Sequence, residues 1–419
     1  MPLLKSWIES ANSPETDFPL NNLPHGVFSL PGGAPRCGVA IGEHVLDVAS
    51  MEAAGLLSPG AAPVLQDGSW NGFMALGPRA WEAFRITLLG YLAEGSELRG
   101  IVERFLHPMA DARLHLPFTV TEFTDFFSGR HHAANVVAMQ GGDDADLPEA
   151  WLHMPLAYNA RASSVVVSGT DIRRPWGQIR PRGSDAPQFA PSRRFDFELE
   201  LGAVVGQPSN GMVSVARADE MIFGHVLLND WSARDMQAWE STPLGPFNSK
   251  ATATTISPWI VPAAALAPFR VAARKREADV MPYLREPGPM HHDIALEVTL
   301  APEGRGETVI SRTNARELYY SAAQQLTHHA SSGCPMRVGD LLGSGTISGP
   351  GRGSRGSMLE LAWRGREAVH LDSGEERRFL EDGDTVTFRA AAQGRGYRIG
   401  FGECRGTLRA PVLQPEFTR

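Results

Sequence analysis

A chain of 419 residues, 42% apolar and 21% charged, can bury a sizeable core and divides on ordinary domain sizes into about two domains. Its formal net charge of −8 argues against a nucleic-acid surface, which needs clustered Lys and Arg; no run of about eighteen apolar residues is present to span a bilayer. The opening Met-Pro-Leu-Leu-Lys-Ser-Trp-Ile-Glu-Ser lacks the basic stretch and apolar core of a secretory signal, and three scattered cysteines (Cys37, Cys334, Cys404) in no C-x-x-C pair argue against disulfides and thiolate zinc, so a reducing cytoplasm is expected.

With Gly 43 and Pro 31, frequent turns favour a β-rich chain over a helical bundle. Residues 26–31 and 36–47 alternate short apolar runs with turn residues and predict strands of a small barrel. A helix over 78–98 interrupts them, with Trp81, Phe84, Leu88 and Leu92 on one stripe. The stretch from His107 to Phe118 reads as a linker, which predicts an N-terminal domain over 1–117 and a larger one over 118–419. Beyond it, period-two segments at 163–169, 195–205, 294–300, 357–363 and 385–389 predict mixed β-structure, with helices over 216–221 and 318–330. The fold class is mainly β (α+β).

Four segments could carry chemistry. In 195–201, Phe195, Phe197, Leu199 and Leu201 face one side of a strand and Asp196, Glu198 and Glu200 the other. Taken alone this is a half-exposed strand; alternatively the three acids, relieved of their repulsion by a divalent cation, form a hard oxygen site that Asp125 and Asp230 could complete. Asp230 follows an apolar strand, and Arg234 and Gln237 lie three apart on a predicted helical turn, pointing one way, as donors to an oxyanion or as surface polar groups. His131 and His132, read as extended, would point to opposite sides, so one alone could be a general base. Its carboxylate partner would be Glu360, a lone acid in an apolar strand pattern. His291-His292 and His328-His329 are competing pairs. Gly351-Arg-Gly-Ser-Arg-Gly356 has G-x-G-x-x-G spacing, but a strand pattern follows where a dinucleotide site needs a helix, so it reads as a glycine-rich turn between strands.

These segments, with Leu228-Asn-Asp-Trp-Ser-Ala-Arg-Asp, Pro243-Leu-Gly-Pro-Phe, Gln324-Gln-Leu-Thr-His-His and Gly345-Thr-Ile-Ser-Gly, resemble the fumarylacetoacetase family over nearly the whole chain. The resemblance implies an N-terminal SH3-like barrel, a C-terminal β-roll, a homodimer, and metal-dependent hydrolysis of a 1,3-diketo acid C–C bond, as in the last step of tyrosine breakdown. It implies Mg²⁺ or Ca²⁺ on Asp125, Glu198, Glu200 and Asp230, with Lys250 and Thr254 near a possible second cation. His132 and Glu360 would activate water, Arg234, Gln237 and Lys250 would stabilise the oxyanion, and Tyr158 and Thr346 would contact substrate. Three substrate-binding positions depart from the family pattern: Phe127 and Ser241 stand where tyrosines are usual and Gly141 where an arginine is. The missing carboxylate grips predict modest turnover of fumarylacetoacetate, or a preferred acylpyruvate or 1,3-diketone with a neutral or bulkier end.

Overall fold

The computed structural model describes residues 2–142, 146–181 and 183–413. The N-terminal strands form where alternation predicts them: β1 (His25–Ser29), β2 (Arg36–Ile41) and β3 (His44–Leu46) are antiparallel neighbours. Helix α1 (Pro78–Leu92) opens on a proline, tolerated where the backbone N–H has no helical partner, and buries Phe84, Leu88 and Leu92; it stops at Leu92 rather than Leu98. The predicted linker is largely structured, because β4 (Leu106–Pro108) pairs with β3 and β5 (Arg113–His115) with β1.

The site is built on β6 (Phe123–Phe126), α2 (Arg130–Gly141), β7 (Ala157–Asn159), β8 (Leu199–Val205), β9 (Ile222–Asp230), α3 (Arg234–Glu240), β10 (Trp259–Pro262), β11 (Leu341–Gly343) and α4 (Met358–Leu361). Among the described residues, a mixed sheet runs in the order β4-β3-β2-β1-β10-β9-β8-β11-β6-β7. Because β1 pairs with β10 as well as with β2 and β5, the N-terminal strands continue into the larger sheet, and no closed barrel is found among the described residues. Val27, Ile41 and Phe84 share one apolar core with Val204, Phe223, Leu228 and Ile260. A second sheet, made of Ile172–Arg173, Ala295–Ala301, Thr308–Asn314, Thr385–Gln393 and Arg398–Arg409, packs on a separate apolar core, where Phe197 meets Phe388 edge-on with ring centres 5.7 Å apart.

Three local expectations are corrected. Residues 195–201 are buried on both sides: the apolar set enters the core and the acids enter a polar interior, so alternation here separates two buried environments. His131 and His132 lie on helix α2, about 100° apart around its axis, and not on an extended segment. Residues 357–363 are not a strand, because Ser357 accepts the Glu360 N–H and Asp196 accepts those of Met358 and Leu359, capping the short helix α4. The glycine-rich turn before it therefore leads into a helix, through a 3₁₀ turn at Arg352–Ser354.

Candidate active site

Asp125 on β6, Glu198 just before β8, Glu200 on β8 and Asp230 at the end of β9 converge, each with a carboxylate oxygen within 4.8 Å of the others, all buried. Sheet register explains the meeting: Leu199 stands opposite Asn229, and Gly343 of β11 opposite Asp125. A side chain at Gly343 would collide with Asp125 Oδ1 and stand 3.1 Å from Glu200 Oε2, so only glycine leaves room for both carboxylates. Gly345, at φ +75°, donates its N–H to Glu200 Oε2 at 2.9 Å. Burial, then the surrounding carboxylates, push Asp125 and Glu200 well above the usual carboxylate range. Asp125 Oδ1 and Glu200 Oε1 are buried with no hydrogen-bond partner. Four hard oxygen donors, two of them carrying unpartnered atoms, fit a divalent cation.

Asp196, grouped with these acids by its alternation, is not in the cluster. It accepts from Arg234 Nε at 2.7 Å and from the α4 backbone. Arg234 also lies 2.8 Å from Glu198 through Nη2 and donates through Nη1 to Gln237 Oε1 at 3.1 Å, one helical turn along α3. Lys250 donates to Glu198 and, at 2.7 Å, to Asp230. Burial works to lower its pKa, but Asp230 and Glu198 outweigh that and raise it, so it stands among the acids as a charge rather than as a metal ligand. Arg234 and Lys250 in turn hold Glu198 low against its own burial. Thr254 Oγ1 donates to Asp230 at 3.0 Å, and the Tyr158 hydroxyl bridges Asp125 (3.0 Å) and Asp230 (2.7 Å).

On the other wall, His132 Nδ1 lies 2.7 Å from Glu360 Oε2, and its Nε2 faces the cluster, 3.9 Å from Glu198. Burial works to raise Glu360, but the charge of His132 beside it, and then the hydrogen bonds from His132, Asn135 and Ser357, outweigh that and hold it down to about 2, with Ser348 donating as well. An ionised Glu360 only accepts, so His132 Nδ1 donates to it and Nε2 is the ring nitrogen turned to the cluster. The depressed value is a stability statement with a sign. The contribution is present above the usual 4.5 and is lost as pH falls toward about 2. Glu360→Gln is therefore expected to melt earlier than the parent at pH 7, with the gap closing on acidification; melting curves from pH 7 to pH about 2 check this, and a gap that widens contradicts it.

A cleft of about 570 Å³ joins the two walls, with Phe127, Ser241 and Thr346 in its lining. The Phe127 ring stands edge-on to His132 at 5.4 Å, and Ser241 donates to its own helix at Gln237 O, so neither offers a phenol. Gly141 ends α2. The competing histidines lie elsewhere: His291 and His292 line a small cavity against Leu201 and Ala203, on the opposite face of β8 from Glu200, while His328 and His329 bond Tyr283 and Thr124. His131 faces Glu317 at 3.4 Å. Sequence reasoning missed Asn135, Ser348 and Ser357 around Glu360; Asn135, three residues after His132, becomes visible only once that segment is read as a helix.

Among the described residues no helix is long and apolar enough to cross a membrane. Residues 21–117 match the family described as "Fumarylacetoacetase N-terminal" and residues 123–409 that described as "Fumarylacetoacetate (FAA) hydrolase C-terminal". The chain is 47% identical to the fumarylacetoacetase of Bos taurus over 405 residues (94% of this chain, 96% of the relative). It is 45% identical to that of Homo sapiens (96% and 98%) and 44% to that of Arabidopsis thaliana (97% and 99%). A solved fumarylacetoacetate hydrolase from Exiguobacterium antarcticum aligns over 93% of this chain and 99% of its own at a TM-score of 0.53 and 16% identity, a likeness of fold. On these matches, spanning both parts of the chain and meeting the geometry of the acids and the His132–Glu360 pair, the chain belongs to the fumarylacetoacetase family.

Proposed function

We propose that the chain hydrolyses the C–C bond between the two acyl parts of fumarylacetoacetate, giving fumarate and acetoacetate. The observation that carries this reading is the cleft in which His132 Nε2 faces four buried carboxylates beside Arg234 and Lys250, in a chain 43–47% identical to proteins named fumarylacetoacetase. A divalent cation bound by Asp125, Glu198, Glu200 and Asp230 would supply Lewis-acid polarisation of the diketone oxygens. His132 takes a proton from water at Nε2 while Glu360 holds Nδ1 and stabilises the ring's positive charge. The water oxygen adds to one carbonyl carbon, the bond to the adjacent methylene breaks, and that methylene takes back a proton from His132. Arg234, Gln237 and Lys250 place N–H donors toward the oxygen that gains charge, with Tyr158 and Thr346 as substrate contacts and Thr254 fixing Asp230.

The same reading carries Mg²⁺ or Ca²⁺ as the ion, a homodimer, and an SH3-like barrel part followed by a catalytic β-roll, all resting on the family, together with a cytoplasmic address and a division at 117/118 that rest on the sequence. A second reading, hydrolysis of a different acylpyruvate or 1,3-diketone, is favoured by Phe127, Gly141 and Ser241. Incubation with Mg²⁺ and a panel of diketo acids separates them. Fumarate and acetoacetate in equal amounts, formed faster than products from any acylpyruvate, are expected; turnover of another diketone with fumarylacetoacetate untouched would put the second reading in place of the first.

A further inference from the structure

We propose that Arg364 grips an outer carboxylate of the substrate, in the place left by the arginine that is absent at Gly141. This rests on the diketo-acid reading above. Three Arg and Lys side chains line the cleft: Arg234, Lys250 and Arg364. The first two are committed to Asp196, Glu198 and Asp230. Arg364, exposed at the cleft mouth, has no carboxylate within ion-pair distance among the described residues; its hydrogen bond is from Nη1 to the Met139 carbonyl at 2.8 Å. Met139 stands two residues before Gly141, so the guanidinium sits at the end of α2, where the resemblance places the missing one. That end carries the negative pole of the helix and would repel a carboxylate without a cation there.

The backbone that delivers Arg364 is unusual. Trp363, Arg364 and Gly365 are all left-handed, at φ 45°, 59° and 79°, and two of them are not glycine. Such conformations cost free energy and cluster where function requires them. Here the turn is pinned by the Arg364 N–H to Leu359 O at 2.8 Å and by Arg355 stacked 4.6 Å over the Trp363 ring, directly after the helix that holds Glu360. With Nη1 on Met139, the rest of the fork remains to meet a carboxylate. The nearby alternatives do not reach: Arg130 is paired with Glu277, and Arg161 lines a different cleft and bonds Ser163.

The test is calorimetric and kinetic, on Arg364→Met and Arg364→Lys in the full chain with Mg²⁺. For Arg364→Met, affinity for at least one product, fumarate or acetoacetate, is expected to fall about tenfold or more. KM for fumarylacetoacetate should rise by a similar factor while kcat stays within about twofold. Arg364→Lys should recover part of the loss, since it restores charge but not the fork. KM for the substrate's dimethyl ester, in which both carboxylates are masked, and the melting temperature should not move. Unchanged affinity for both products, or equal changes for acid and ester, would overturn the proposal. A parent protein inert on fumarylacetoacetate would strike the reading of the reaction instead, and product binding would still decide Arg364.

Discussion

Replacing His132 with alanine is expected to lower kcat by about a hundredfold to ten-thousandfold, the range of a positioned general base, while His131→Ala falls far less. The asymmetry follows from the helix: His132 turns into the cleft between Glu360 and Glu198, whereas His131 turns to Glu317. Because the proposed role of Glu360 runs through the His132 ring, to which it is bonded, the double variant His132→Ala/Glu360→Gln should be no slower than His132→Ala alone. Steady-state rates of the three variants check both statements. Additive losses would mean that Glu360 works on the substrate by itself, and a larger loss at His131 would reverse the assignment.

Glu200→Gln is expected to abolish metal binding and to produce a crossing in stability. Without a cation, burial beside three other carboxylates disfavours ionised Glu200, so folding at neutral pH bears the cost of either burying that charge or taking up a proton; Gln removes this cost and the variant should melt above the chelated parent. With Mg²⁺ or Ca²⁺ the parent gains stability by mass action, about 2.7 kcal/mol at a hundredfold excess over Kd, the variant gains little, and the order reverses. Elemental analysis and melting curves with and without chelator measure it. A parent indifferent to chelator would remove the cation from these four acids.

The parts of the site readable from residue order were those with a simple period. Acids at 198 and 200, an acid ending the strand at 230, and Arg234 with Gln237 one turn apart all stand as spacing predicts. What spacing could not separate was an acid facing water from an acid facing a polar interior, because both give the same alternation; hence Asp196 was grouped with Glu198 and Glu200 though it binds Arg234 and α4. The strand pattern at 357–363 failed because apolar alternation masks the local Ser357-x-x-Glu360 helix start, and the rest of the cap comes from Asp196, about 160 residues earlier in the chain. The His131-His132 helix was hidden because its polar and apolar residues form no strong stripe. The continuous N-terminal sheet depends on β1 meeting β10, a pairing between segments more than 230 residues apart.

Asp196 also bears on how such a protein diverges. One side chain takes the guanidinium of Arg234, which the proposed mechanism sets against the reacting oxygen, and the backbone of the helix that carries Glu360, the proposed partner of the proton acceptor. The spacing between the two proposed halves of the chemistry is thus written into a buried residue that lies outside both the acid cluster and the cleft lining. The hydrogen bonds of Asp196 do not involve Phe127, Gly141 or Ser241, so exchanges at these three wall positions leave the distance that Asp196 sets between Arg234 and α4 in place, and selection for a new diketone has a route that spares that distance even where, as at Phe127, the wall packs on His132.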